Sequence, residues 1–327
     1  MPAPPGRGRP SAVRLAVCYA TIAACVPYIV LKLAWLSGST IGWNDEEMAE
    51  GAAIYAANAI TMGMDAVAVL VALAFTHPWG RRLPAWLVIV PIWVGTGLLA
   101  PIVLGLPPGL VIQTISGGPA PATADQGGLQ SWVYVIVYTG FVLQGLGLLT
   151  AFVLYARDRW AGLLTARTRD LPAGATHAAQ SFLALAASLP ALGYAAVNLY
   201  WGLGGTAGLP PGSLDRTVVQ QTVTVVWGLL ALAGAAGTLA LVHGRGGAGR
   251  TGRLWVPLSA AWLGSGATFT FALASLLGTL AQPGALAADR SPAADLTLLS
   301  GLLGGLVLGL TGAFFLTEAG GGSKPGP

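Results

Sequence analysis

Residues 28–42 read YIVLKLAWLSGSTIG, and residues 194–208 read YAAVNLYWGLGGTAG. They agree at Tyr28/Tyr194, Leu33/Leu199, Trp35/Trp201, Gly38/Gly204, Thr40/Thr206 and Gly42/Gly208. Each starts inside an apolar run and ends in a glycine-rich turn, so each is the end of one helix and the loop after it. Positions i, i+4 and i+7 share a helix face. Tyr28, Lys32 and Trp35 are therefore aligned, as are Tyr194, Asn198 and Trp201.

A second match lies outward from the first. Residues 80–97 and 249–266 agree at Gly80/Gly249, Arg81/Arg250, Trp86/Trp255, Trp93/Trp262, Gly95/Gly264 and Gly97/Gly266. A third, weaker match pairs Gly147-Leu148 and Ala151-Phe152 with Gly309-Leu310 and Ala313-Phe314. The offsets stay between 162 and 169 and the order is kept, so the chain reads as a tandem duplication.

Composition fixes the environment. Of 327 residues, 54% are apolar and 9% charged, against about 25% charged in soluble proteins. Several apolar runs reach the roughly 20 residues that a helix needs to cross about 30 Å of hydrocarbon. The chain is thus expected to be a multi-pass membrane protein, and soluble enzyme, secreted disulfide scaffold and nucleic-acid binder are excluded. Spans are expected near 13–36, 50–76, 84–106, 131–155, 180–203, 218–243, 254–280 and 296–317. Turn chemistry separates them at His77-Pro78-Trp79-Gly80, Leu106-Pro107-Pro108-Gly109, Leu209-Pro210-Pro211-Gly212 and Gly244–Gly252. The fold class is an all-α membrane protein: eight transmembrane helices arranged as two parallel-oriented four-helix repeats. An even number of spans per unit gives both copies the same orientation, unlike the inverted repeats of many transporters. The expected divisions are a tail (1–12), the first repeat (13–158), a linker (159–179), the second repeat (180–318) and a tail (319–327).

Charge tests the count. With the N-terminus inside, 13 of 16 basic residues and three acids lie on the inner side, a net of +10. Two basic and eight acidic residues lie outside, a net of −6. The excess recurs in every inner segment, as the positive-inside rule requires. Both termini are therefore expected to be cytoplasmic, in a bacterial plasma membrane, with the lipid bilayer as partner. The basic balance reports topology and calls for no nucleic acid. Cys18 and Cys25, seven apart on one helix, are about 10 Å apart along its axis, too far for a disulfide. Ile22-Ala23-Ala24-Cys25 loosely matches a lipoprotein cleavage box, but apolar sequence continues through it to Leu36.

The stretch Tyr200-Trp201-Gly202-Leu203-Gly204-Gly205-Thr206-Ala207-Gly208 resembles a signature of small bacterial multi-pass membrane proteins classed as a domain of unknown function. The likeness covers about 15 residues per half. The first copy departs from it at Ala34 and Ser39. The resemblance implies the repeated four-helix architecture and no chemistry.

Ionisable groups inside spans are functional candidates by default. Asp65 falls near the middle of span two. Lys32 falls about a turn from the outer end of span one, where it is expected to snorkel or pair with Glu47 or Glu50. The register separates the two by about 15 Å, with Asn58 between them. Asp65, Lys32, Asn58 and Asn198 are thus the candidate polar site. Tyr28, Trp35, Tyr194 and Trp201 are either an interfacial aromatic belt or the walls of an outward pocket. His77 and His243, at matching inner ends, are weak haem-ligand candidates. Gln144, Gln180, Gln220 and Gln221 are expected as interhelical hydrogen-bonding groups. Gly301, Gly305 and Gly309 form a GxxxGxxxG face for packing or self-association. No HExxH, GxSxG or P-loop is present, and no cofactor or metal is called for. The sequence points away from an enzyme and toward a structural or partner-binding bundle. The alternative is a small-molecule or proton-coupled carrier using Asp65 and Lys32.

Overall fold

The computed structural model describes residues 11–117, 128–171, 174–244, 253–280 and 291–321. Arg7, Arg9, Asp125, Arg245, Arg250, Asp289, Arg290 and Lys324, used above for topology, lie outside the described residues, as do most of the two tails. Among the described residues, eight helices are long and apolar enough to cross a membrane, which makes the chain an integral membrane protein. The first four are α1 (Ala12–Leu36), α2 (Ala52–Thr76), α3 (Ala85–Ile115) and α4 (Ser131–Arg159). A short helix, α5 (Ala161–Thr165), follows. The other long helices are α6 (His177–Gly202), α7 (Val218–His243), α8 (Trp255–Leu280) and α9 (Pro292–Gly321). No strand occurs among the described residues.

Local sequence explains the boundaries. Ser11 caps α1, its hydroxyl accepting from the Arg14 amide. Thr217 and Gln220 form a reciprocal capping box at the start of α7. The two copies of the repeated motif end their helices identically. In α1, Gly38 N–H donates to Trp35 O and Ser39 N–H to Ala34 O; in α6, Gly204 donates to Trp201 O and Gly205 to Tyr200 O. This is the Schellman closure, which needs a left-handed residue. Gly38 and Gly204 supply it, with φ of 89° and 99°.

One expected turn is absent. Leu106-Pro107-Pro108-Gly109 lies within α3, which runs on to Ile115. Proline removes helix hydrogen bonds, but the sequence after it stays apolar and lipid offers the backbone no other partner. Gly105 and Gly109 also bring this part of α3 onto the α7 backbone at Val223 and Val219.

By packing, the chain falls into two compact units. Unit 1 holds residues 1–92 and 125–159, so α1, α2, α4 and the first turns of α3. Unit 2 holds residues 93–124 and 160–327.

In unit 1, α1 is packed between α2 and α4. A Cβ added at Gly147 of α4 would strike the Thr21 side chain, so these helices touch closely. Buried Arg14 is ion-paired with Asp158 at 2.6 Å, tying α1 to α4. Across the far end, the loop after α1 pairs with the segment before α4. Asn44 N–H donates to Gly128 O at 2.8 Å and Gln130 N–H to Gly42 O at 2.7 Å.

In unit 2, glycine sets the crossings. A Cβ on Gly264 of α8 would meet the backbone of Gly234 in α7, and one on Gly304 of α9 the backbone of Ala191 in α6. The expected self-association face of α9 is occupied within the chain. Gly301 lies against the Tyr194 ring, Gly305 against the Phe269 backbone and Gly309 against the Trp93 ring. Through these glycines α9 approaches α6, α8 and α3.

Residues 93–97 of α3 and 262–266 of α8 meet reciprocally. Trp93 Nε1 donates to Ser265 Oγ at 3.2 Å, and Trp262 Nε1 donates to Thr96 Oγ1 at 3.1 Å. Each hydroxyl in turn donates to the tryptophan carbonyl three residues back in its own helix. Gly97 and Gly266 provide the close approach.

Candidate functional site

The helices α1 and α2 run antiparallel, so residues of one face meet in reverse order. On α1 the face is Cys25, Tyr28, Lys32 and Trp35; on α2 it is Asp65, Thr61 and Asn58. Lys32 Nζ donates to Asn58 Oδ1 at 2.7 Å, and both side chains are buried. The ammonium also lies 4.6 Å from the Tyr28 ring centre and 5.1 Å from that of Trp35, both within cation–π range. Tyr28 is within hydrogen-bonding reach of Thr61 and packs edge-on against Phe141 of α4.

Lys32 therefore does not reach the loop carboxylates Glu47 or Glu50, as its position near the helix end suggested. Asn58 stands opposite it in register, and two aromatic faces flank it. A charge with a carbonyl partner and two rings can remain buried where an unpaired one would not.

Asp65 sits at the centre of α2 and is 4% exposed. Gln144 of α4 donates to its Oδ1 from Nε2 at 3.1 Å, the interhelical bond expected of that glutamine. Asp65 Oδ2 is buried without a hydrogen-bond partner. Among the described residues the ion pair within 4 Å is Arg14–Asp158, so Lys32 and Asp65 are separate, as their depths imply. They do interact electrostatically across the intervening turns.

The other candidates have structural partners. Asn198 donates to Tyr194 O, four residues back in α6, at 2.8 Å. Tyr194 is fully buried against Gly301. Trp35 Nε1 donates to Ile41 O at 2.8 Å, and Trp201 Nε1 to Ala207 O at 3.0 Å. In both units the indole therefore closes its own loop six residues ahead. Trp35 and Trp201 thus hold their loops, while Tyr28 packs on Phe141 and Tyr194 against Gly301. Trp201 also lines an open apolar groove of about 380 Å³, together with Tyr200, Ala207, Ala293, Leu296 and Thr297 among others.

The two histidines are also alike. His77 Nδ1 bonds to Leu73 O at 3.1 Å and His243 Nδ1 to Leu239 O at 3.0 Å. Each caps its own helix end. No group of three or more metal-binding side chains occurs among the described residues.

Three residues that sequence reading did not single out anchor unit 2 or unit 1. Arg216 donates from Nη2 to Trp201 O at 2.7 Å and Gly205 O at 3.1 Å, closing the end of α6. Its partial burial lowers the guanidinium pKa. Glu318 of α9 accepts from the Thr176 amide and hydroxyl and from Gln180 Nε2, a carboxylate at the positive end of α6. Arg14, counted above only as a topology charge, is the buried half of the α1–α4 ion pair. Only their charge marked them in sequence; their partners are 11 to 144 residues away.

No protein-family model matches the chain, and neither a curated protein nor a solved structure matches it.

Proposed function

We propose that this integral membrane protein is a proton-linked small-molecule carrier in which Asp65 bears the proton and Lys32 is the second working charge. Unit 2 serves as scaffold. One observation carries this reading: a carboxylate oxygen at the centre of α2 is buried with no hydrogen-bond partner. Most buried polar atoms find a partner, and a carboxylate oxygen left without one at mid-span calls for a reason. An asparagine would accept the same Gln144 bond without the cost of a desolvated charge. A group left ready to take a proton is what a coupling site requires. The scaffold role of unit 2 is supported by its glycine crossings and by the internal partners of Asn198 and Trp201.

The reading includes two parallel four-helix repeats. The reciprocal Trp93–Ser265 and Trp262–Thr96 bonds support it, since both pairs exchange under one offset of 169 residues. The matching Schellman closures support it too. On the same offset Asp65 corresponds to Gly234, whose contact with Gly264 leaves no room for a side chain. The polar site thus belongs to the first copy alone. The basic excess of the inner segments supports cytoplasmic termini in a bacterial plasma membrane. The resemblance to the bacterial domain of unknown function fits one such unit.

The test is proton flux in vesicles holding the purified protein and an enclosed pH-sensitive dye. The wild type is expected to dissipate an imposed pH gradient, and Asp65→Asn to lose at least tenfold in rate while melting at the wild-type temperature. Equal rates for the two refute the carrier reading and leave the structural bundle.

A further inference from the structure

The surroundings of Asp65 are unequal along the membrane normal. Toward the end of unit 1 that bears the 36–51 loop, α1 and α2 face each other with polar groups. Thr61 and Tyr28 come first, then Asn58 bonded to Lys32. Asn58 is seven residues from Asp65, about 10 Å along the helix. Toward the opposite end, which bears Ala12 and Arg159, the buried groups next to Asp65 are mostly apolar, among them Cys18, Val71, Ala72, Phe75, Leu148 and Ala151, with Thr21 and Thr76 as buried hydroxyls and Arg14 paired with Asp158 at the very end. The Phe75 ring packs tilted against that of Tyr155, with 4.7 Å between centres. Hydroxyls on both sides bond to backbone, Thr21 to Val17 O and Tyr155 to Gly80 O here, and Thr61 to Ala57 O and Asn58 O on the loop side. What sets the loop side apart is the buried Lys32–Asn58 pair within reach of Tyr28.

We propose that Asp65 exchanges its proton with the loop end of unit 1 only, along the file of Thr61, Tyr28, Asn58 and Lys32, while Phe75 and Tyr155 close the other end. The inference rests on Asp65 as the proton-bearing group and adds the side from which it is loaded. Titratable and charged groups that interact with Asp65 are Cys25, Tyr28 and Lys32 on α1, with Tyr138 of α4 next to Tyr28 and neutral Gln144 beside Asp65. All except Cys25 lie on the loop side or level with Asp65. Cys25 donates to Thr21 O in its own helix.

The experiment is deuterium exchange of the Asp65 carboxyl in the purified full-length protein, followed by its infrared carbonyl band and assigned by loss of that band in Asp65→Asn. Two matched variants remove one hydroxyl each. Thr61→Val, on the loop side, is expected to slow exchange at least tenfold. Thr21→Val, on the closed side, is expected to leave it unchanged. Melting temperature and helical circular dichroism check both folds. If Thr61→Val exchanges at the wild-type rate, or if Thr21→Val slows exchange as much, the one-sided path is overturned. That result stands apart from the flux assay, in which Asp65→Asn alone decides the carrier reading. If no carbonyl band titrates at any pH, Asp65 bears no proton, and both proposals fall together.

Discussion

Gly264→Ala tests the packing that defines unit 2. A Cβ at this position would overlap the Gly234 amide and the Leu230 carbonyl, both of them backbone atoms of α7. In the reverse direction, a Cβ on Gly234 would lie 2.8 Å from Gly264 C and Ser265 N, well inside ordinary van der Waals distance. No side chain can rotate away, so α7 and α8 must separate. Alanine for glycine in a helix gains about 0.8–1.0 kcal/mol of propensity. Overpacking costs about 1–3 kcal/mol, and a backbone-on-backbone clash belongs at the upper end of that range. The net expectation is a loss of about 2 kcal/mol. Gly193→Ala in α6 is the control, because a Cβ there meets nothing within 4 Å. It should be neutral or stabilising by up to about 1 kcal/mol. Equilibrium unfolding in mixed detergent micelles with increasing sodium dodecyl sulfate measures both. If Gly264→Ala is as stable as Gly193→Ala, the close α7–α8 crossing is refuted.

Trp35→Phe and Trp201→Phe should each cost about 1 kcal/mol, the value of one net hydrogen bond, because each removes the same indole-to-loop bond; unequal losses in micelle unfolding would show that the two motifs are not equivalent. Arg216→Ala should cost about 2 kcal/mol, since two carbonyls lose a charged donor, and Arg216→Lys should recover less than half in the same assay. Asp158→Asn strands a buried guanidinium, but the aspartate side chain is 61% exposed, so the loss should be about 1–2 kcal/mol, below that of a fully buried pair; a salt titration of thermal melting should show the wild type, and not the variant, weakening as ionic strength rises.

Helix identity was legible because hydrocarbon thickness imposes a length that only apolar runs satisfy. The ends of α1 and α6 were legible because glycine is needed where φ is positive. Asp65 and Lys32 stood out because charge is rare inside spans. The partner of Lys32 was not legible. A long side chain near a helix end can reach a loop carboxylate or turn inward, and the choice depends on what the neighbouring helix presents in register. Here that residue is Asn58. Pro107 and Pro108 misled because proline signals a turn in water, whereas α3 is held by its glycine contacts with α7. The α9 glycines gave a packing face without an address, since small residues signal close approach and never with whom. Thr96 and Ser265 stood among the glycines of a crossing, and their hydroxyls gained meaning only from the opposing indoles.

The reciprocal tryptophan contact bears on how such a chain can arise. A surface in which each partner offers the other the same donor and the same acceptor is self-complementary, the property that lets two identical subunits associate about a twofold axis. Under the duplication proposed above, one substitution at that surface would alter two hydrogen bonds at once before the two copies were fused, and selection would act on both together. Once the copies share a chain, each position mutates alone. A carboxylate at the position of Asp65 can then be tried in one copy while Gly234 keeps its helices together in the other. Fusion thus separates the requirement to pack from the opportunity to do chemistry.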